Sequence, residues 1–191
     1  GTDAAAFLQQ QLTADINAIT IGQPQLAAWC TPKGTVRVIF ELTRHADNDF
    51  TARFPQDLAA KILPKLKMFV LRQNVVFTSL GTDIVSHEQI LKRMQAGIAR
   101  ISLATSEQWI AQMLNLDQLN AIGWKKGCYP GQEILARLYW RGGLKRRLFY
   151  TEVTENVAVG TPIHIPKANT NPAETPATHA GEVIECVPMP S

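Results

Sequence analysis

The sequence has few cysteines and no cysteine or histidine pairs with metal-ligand spacing, which argues against several classes of protein. Three cysteines are spread through 191 residues, at Cys30, Cys128 and Cys186, without any Cys-x-x-Cys pair. An odd and dispersed set argues against a disulfide scaffold and a zinc ribbon, and it predicts free thiols in a reducing compartment. The four histidines also lack metal-ligand spacing, so no metal site is expected.

Long hydrophobic stretches are missing as well. Apolar runs such as Met68–Leu71 fall far short of the ~18 residues that a membrane helix requires. No basic segment followed by an apolar one stands at the start, so a secretory signal peptide is not expected. Hydrophobic residues make up 46% of the chain and charged residues 18%, a globular composition. At about 150 residues per domain, the length allows one large core or two small ones.

Positive charge is concentrated in one segment, although the net charge is only +3. Residues 125–147 hold seven Lys or Arg residues against a single carboxylate, Glu133, so the rest of the chain is net acidic. A local cationic cluster on a nearly neutral body favours an anionic partner such as nucleic acid, a phosphate or a carboxylate ligand. The alternative is a basic face that is simply solvated.

Hydrophobic periodicity and turn residues predict a mixed α+β protein. Val36, Val38 and Phe40 alternate with mostly polar residues, which is typical of a half-buried strand. Pro64 is expected to kink or split the helix that contains it. The predicted helices cover residues 4–12, 55–69, 87–95 and 131–140, and the predicted strands cover 25–30, 35–42, 50–54, 71–80, 145–153, 161–165 and 181–187.

One segment has a composition suited to chemistry. Two glycines and a proline between Gly127 and Gly131 force a tight turn that leads into a helix. Cys128 therefore precedes a helix N-terminus, with Lys125 and Lys126 close by, and both features favour thiolate over thiol. The alternative is that Cys128 is a small buried hydrophobe, which is the interpretation we favour for the other two cysteines.

The same segment carries a family resemblance. Residues Lys126–Glu133 read K-G-C-Y-P-G-Q-E and resemble the K-G-C-Y-x-G-Q-E signature of the YgfZ family of folate-binding proteins. That family belongs to the superfamily of the glycine-cleavage aminomethyltransferase (T-protein), and mitochondrial iron–sulfur assembly factors are relatives. Four further segments resemble family motifs in the family's order: Gln9–Asp15, Thr31–Gly34, Met113–Asp117 and Arg141–Arg146.

The resemblance implies a fold. We expect an α+β, T-protein-like folate-binding fold with a mixed α/β body, a ferredoxin-like part and a small C-terminal β barrel. The folate-binding domain is expected over residues 1–144 and the barrel-like domain over residues 145–191. Family members are usually longer, so the segment between about Gly81 and His87 is expected to replace a longer one and to shorten the fold in its middle.

The resemblance also implies a function. It suggests an accessory protein that binds tetrahydrofolate or a derivative and supports iron–sulfur enzyme assembly or repair. Through iron–sulfur methylthiolating enzymes, that role extends to tRNA modification. The implied partners are iron–sulfur enzymes or assembly proteins, with indirect or weak tRNA contact and no membrane. The implied compartment is the cytoplasm, or the mitochondrial matrix in a eukaryote.

Particular residues are expected to carry this role. Cys128 would be the reactive thiol, Lys126 would raise its thiolate fraction, and Gln132 and Glu133 would hold the loop by hydrogen bonds. The expected loop and ligand-binding residues are Lys33, Gly34, Lys126, Gly127, Tyr129, Gly131, Gln132 and Glu133, and the expected anion-binding residues are Arg137, Arg141, Lys145 and Arg146. We also expect the turn at Lys33 and Gly34 to lie near the Lys126–Glu133 loop, rather than being only a hairpin turn.

Two other functions remain open at this point. A folate-dependent one-carbon transferase of the aminomethyl type would need a positioned carboxylate near the folate nitrogen, and none is identified in the sequence. An RNA-binding module would use the basic segment to contact phosphates and would depend steeply on salt. Whether the protein catalyses a reaction is left open by the sequence.

Overall fold

Alternating apolar residues build an antiparallel three-stranded sheet in the first third of the chain. The computed structural model describes residues 1–82, 84–165 and 178–188. Strands β1 (Pro24–Cys30), β2 (Val36–Ala46) and β3 (Asp49–Arg53) pair in that order. The pairing of Trp29 with Val38 and of Leu42 with Ala52 fixes the register. The sheet follows the predicted strands closely, because the short turns between them leave little choice of partner.

Four helices accompany the sheet: α1 (Ala4–Gln11), α2 (Ala59–Lys67), α3 (His87–Gln95) and α4 (Gln132–Arg141). Short 3-10 segments cover Ile16–Ala18, Gln56–Leu58 and Ala111–Leu114. Helix α3 begins at a capping box in which Ser86 and Gln89 exchange hydrogen bonds. The expected split at Pro64 is wrong. Pro64 is exposed within a continuous α2, while Ile62 and Leu66 on the opposite side are buried.

The core lies between α1, the inner face of the sheet and the segments that approach α4. Its largest fully buried side chains include Phe7, Leu12, Trp29, Leu114 and Leu135. These residues come from positions more than 100 residues apart in the sequence. Burial of apolar surface therefore joins the N-terminal sheet to α4, which follows the Lys126–Glu133 segment.

Two predicted strands are absent. Residues 71–80 are irregular, and Leu71 and Leu80 are largely exposed. Residues 145–153 are also irregular. Both segments carry strand-like composition, but a strand needs a partner whose backbone groups it can pair with, and neither segment has one within the described residues.

The chain divides into two compact units, Gly1–Leu148 and Phe149–Ser191. The boundary expected from the sequence was between residues 144 and 145. In the second unit, β4 (Pro162–Ile165) pairs with β5 (Thr178–Glu182), so the strand predicted over 181–187 begins and ends earlier. Over the described part of this unit the two strands form no closed barrel. The predicted loop over residues 166–178 falls almost entirely outside the described residues.

These elements form a mixed α/β fold with antiparallel sheets, as the composition and periodicity predicted. In the described ranges, no helix has both the length and the apolar character needed to cross a membrane.

Candidate functional site

The thiol of Cys128 is exposed on the loop that leads into α4, as predicted. It lies four positions before Gln132, where the helix begins. Cys30 provides the contrast within the same unit. It is fully buried in β1, and burial raises the pKa of its thiol to about 12. Within this unit, Cys128 is therefore accessible to a reagent or partner, whereas Cys30 is not.

Two glycines hold the signature loop, Lys126–Glu133, against the turn that joins β1 and β2. Gly131 has a φ of +85°, and a Cβ added there would lie 2.6 Å from the Thr31 carbonyl oxygen and 2.8 Å from the Gly34 Cα. Gly34 has a φ of +78° and packs against Ile134 and Leu135 at the start of α4. Only glycine allows both this conformation and this approach. The expected proximity of the Lys33–Gly34 turn to the signature loop is thus confirmed.

The turn itself is braced by its threonines. The hydroxyl groups of Thr31 and Thr35 lie 2.7 Å apart, and the Gly34 N–H donates to the Thr31 carbonyl at 2.9 Å. The Lys33 N–H donates to the Thr31 hydroxyl at 3.2 Å, and the Lys33 side chain is exposed. The hydrogen-bonded turn therefore places the exposed Lys33 ammonium beside the signature loop.

Lys126 anchors the loop to the end of α1. Its ammonium donates to the carbonyl oxygens of Leu12 and Ala14 at 2.6 and 2.7 Å, and it lies 5.1 Å from the centre of the Tyr129 ring. Burial lowers the pKa of Lys126 to about 8, and the charge of Asp15 opposes that shift only in part. Two of the three ammonium donors are thus engaged by backbone carbonyls, which gives Lys126 a structural role that was not expected; its effect on the Cys128 thiol stays a prediction.

The chain that precedes the loop is fixed to the same place. The buried hydroxyl of Thr13 donates to the Ala121 carbonyl at 2.6 Å and accepts from the Ala28 N–H at 2.9 Å. The Gly123 N–H donates to the Thr13 carbonyl at 2.8 Å. Thr13 therefore links β1, the end of α1 and the start of the signature segment, a role that sequence reasoning missed.

Tyr129 points into the protein rather than out of the loop. It is only 6% exposed, burial raises the pKa of its phenol, and its backbone carbonyl accepts from the Gln132 N–H at 3.2 Å. The residue expected to contact a ligand is thus a core anchor for the loop. The neighbouring Gly127 is exposed and has open space around its Cα.

Among the described residues, the side chains of Gln132 and Glu133 make no hydrogen bond to the loop, contrary to expectation. The Glu133 carboxylate pairs with Arg137, one turn later, at 3.3 Å on the exposed surface. Such an exposed pair is worth little. The loop is held instead by the contacts of Lys126, Tyr129 and Gly131 already described, and by the buried Gln112, whose amide donates to the Leu135 carbonyl at 2.6 Å.

One cation of the basic segment has an internal partner. Arg147 forms a bidentate pair with Asp117 at 3.0 and 2.9 Å and also donates to the Gln112 carbonyl at 3.2 Å. The hydrogen bonds that Arg147 donates to the Asp117 carboxylate raise the pKa of Arg147. The clustering of charge alone gave no signal for this pair, whereas Asp117 belongs to a segment singled out by the family resemblance.

Apart from Arg147 and the partly buried Lys126, the basic side chains of this segment lie on the surface. Arg141, Lys145 and Arg146 are exposed, and Arg137 has only the Glu133 contact. Aromatic side chains lie beside them. Trp124 stacks on Tyr139 with ring centres 4.1 Å apart, and Trp140 meets Tyr139 edge to face at 4.8 Å. Trp29, by contrast, is fully buried beneath the Arg37 guanidinium.

Two cavities adjoin these elements. One of about 120 Å³ is lined by residues that include Asp15, Asn120 and Gly123. A wider, open one of about 600 Å³ is lined by Gln10 of α1 and by residues 69–73, which include Phe69 and Arg72. Among the described residues no group of three or more His, Cys, Asp or Glu side chains is arranged to hold a metal ion.

Comparison with known proteins finds relatives but gives no name for the family. A protein of Haemophilus influenzae, described as uncharacterized, is 29% identical to this chain over 192 residues, an alignment that covers 80% of this chain and 69% of that protein. No family model matches the chain.

Proposed function

We propose that this chain is a YgfZ-type protein with a T-protein-like fold, and that it binds tetrahydrofolate while supporting iron–sulfur enzyme assembly or repair. One observation carries the proposal. Two segments that resemble the family's motifs, Gln9–Asp15 and Thr31–Gly34, lie about 100 residues before the signature loop in sequence, yet they contact it through Lys126 and Gly131. Motif segments that meet at one place are expected of a shared functional site.

In this proposal, Cys128 is the working thiol and the rest of the signature is its support. The glycines and Tyr129 fix the loop, so the thiol is held outward at a defined position without losing its accessibility. The thiolate of such a residue can ligate a metal cluster, or it can attack a partner's disulfide and release the partner's other sulfur as a thiolate. The proposed client is an iron–sulfur enzyme, including those that methylthiolate tRNA.

The open cavity beside α1 suits a folate-sized ligand. Its volume of about 600 Å³ lies within the ~300–1,000 Å³ of small-molecule sites, whereas the cavity of about 120 Å³ is too small. Phe69 offers an aromatic face for a pterin ring, and Arg72 offers a guanidinium for the glutamate carboxylates. Gln10 lines this cavity two residues before Leu12, which holds Lys126, so the cavity and the loop adjoin the same helix end.

Titration calorimetry with tetrahydrofolate tests the ligand. We expect saturable binding that weakens at least about tenfold in Phe69→Ala and Arg72→Gln and is unchanged in Lys125→Gln, an exposed cation of the signature segment. Absence of binding to the wild-type protein would remove folate from the proposal.

Growth of a bacterial strain that lacks its own protein of this kind tests the thiol. Cys128→Ser is expected to lose complementation of an iron–sulfur-dependent growth defect, whereas Cys186→Ser is expected to retain it. A one-carbon transferase would instead release methylene-tetrahydrofolate from an aminomethyl donor, and detection of that product would favour this alternative.

A further inference from the structure

The outward face of α4 combines aromatic rings with cations. Arg137, Trp140 and Arg141 are spaced three and four residues apart, so they share one side of the helix, opposite the buried Leu135. Trp140 is 76% exposed and Tyr139 is 47% exposed. Large aromatic residues usually bury most of their surface, so a tryptophan left this open indicates a face that is used for binding.

The rings of this face are held by one another. Trp124 stacks on Tyr139 with an angle of 23° between the planes, and Tyr139 in turn supports Trp140 edge to face at 88°. The three residues form a platform whose rings need little ordering when a flat group lands on them. Preorganisation of this kind reduces the entropic cost of binding.

The cations around the platform lack matching acids. Glu133 pairs with Arg137, but in the described parts of the chain no ion pair is formed by Lys125, Arg141, Lys145 or Arg146. Arg137 and Arg141 are one helical turn apart, about 6 Å along the axis. Together with Trp124, Tyr139 and Trp140, these two arginines define what we call the aromatic–arginine face.

We propose that the aromatic–arginine face binds an unpaired nucleic-acid strand. A base stacks on the open ring of Trp140, and successive phosphates lie against Arg137 and Arg141. Stacking on aromatic side chains combined with backbone contact by cations is the general mode of single-strand binding. This proposal does not rest on folate binding or on the thiol, because it uses none of those residues.

An acidic protein surface fits the face less well. Trp, Tyr and Arg are enriched in protein interfaces as well, but Lys is depleted there, and the exposed Lys125 and Lys145 adjoin the face in sequence. On one side of α4 the open Trp140 ring accompanies Arg137 and Arg141, which matches the pairing of base and phosphate along a strand. Charge complementarity and the supply of open rings therefore both favour nucleic acid.

Fluorescence anisotropy with labelled oligouridine and oligothymidine tests the proposal in the intact protein. We expect Trp140→Leu to weaken binding about tenfold, with Trp140→Phe recovering most of the loss, because a base needs a ring rather than apolar area. The salt dependence should separate the two kinds of contact. Arg141→Gln should flatten the slope of log affinity against log salt by about 0.7, while Trp140→Leu should leave the slope unchanged.

The controls set the outcomes. Arg72→Gln removes one exposed cation outside the face and should leave affinity for the strands unchanged. Binding of only one oligonucleotide identifies RNA or DNA as the source, and binding of both indicates recognition of any unpaired strand. The proposal is overturned if neither strand binds at low salt, if Trp140→Leu binds as well as the wild type, or if a polyglutamate peptide of equal charge binds as tightly as the strands.

Discussion

The inner and outer sides of residues 124–147 differ sharply, although they share one short stretch of sequence. On the inner side, Lys126, Tyr129 and Gly131 are fixed by backbone carbonyls, by burial and by a glycine–glycine contact. On the outer side, the Cys128 side chain and the Trp140 ring, which meets Tyr139 edge to face, are open to solvent. A signature motif therefore mixes residues that shape a loop with residues that the loop presents, and a sequence pattern alone does not separate the two groups.

Of the substitutions considered on the inner side, Gly131→Ala is expected to lower the stability of the protein most. A methyl group would lie 2.6 Å from the Thr31 carbonyl oxygen at a residue whose φ is +85°, so both strain and a backbone clash oppose it. We expect the free energy of unfolding to fall by about 3 kcal/mol. Urea denaturation measures the change. The matched control is Gly127→Ala, whose methyl group enters open space. Equal losses of unfolding free energy in the two variants would contradict the close packing of Gly131 against Thr31 and Gly34.

A smaller loss is expected on breaking the ion pair behind α4. Arg147→Met removes two short hydrogen bonds that the guanidinium donates to Asp117 and one that it donates to the Gln112 carbonyl. The mostly buried Asp117 carboxylate then loses its ion-pair partner. We expect a loss of about 2 kcal/mol, from bonds of the charge-assisted kind. Arg141→Met, at an exposed position, is the control and should change stability by less than about 0.5 kcal/mol. A loss in Arg147→Met no larger than in this control would show that the pair contributes nothing.

Lys126→Met sharpens the comparison through its pH dependence. The variant leaves the Leu12 and Ala14 carbonyls without a donor, which is expected to cost about 1–2 kcal/mol near neutral pH. Because the pKa of Lys126 is lowered to about 8 in the folded protein, the unfolded chain binds more protons above that pH. The free energy of unfolding of the wild type should therefore rise relative to the variant as the pH increases from about 7 to the ordinary lysine range. Denaturation curves at matched pH values measure this difference, and a constant or shrinking difference would contradict the lowered pKa.

Local signals predicted much of the fold, and non-local contacts explain most of the failures. The predicted bounds of α3 are confirmed, because Gly97 ends the helix locally; the capping box of Ser86 and Gln89 at its start is equally local, although the prediction did not use it. Residues 71–80 were predicted as a strand from composition, yet a strand depends on a distant partner that composition does not reveal.

The same distinction applies to the site. The exposed thiol and its glycine turn follow from local chemistry, and the approach of the Lys33–Gly34 turn followed from the family resemblance. The carbonyl partners of Lys126 lie 112 and 114 residues away in sequence, and Asp117 lies 30 residues from Arg147. Contacts over such separations leave no local pattern, so neither of them was predicted.

The smallest effect on stability is expected at the residue with the largest proposed role. Cys128→Ser should change the free energy of unfolding by less than about 0.5 kcal/mol, because the side chain is exposed and buries no apolar surface. Alkylation with iodoacetamide, followed by mass spectrometry in a Cys186→Ser background, tests the accessibility directly. Cys128 should react in the folded protein, whereas Cys30 should react only after unfolding, since it is fully buried and its pKa is raised. If Cys128 were protected like Cys30, or if its replacement destabilised the protein as much as Gly131→Ala, the residue would belong to the inner side, and the division between the loop's support and its presented thiol would fail.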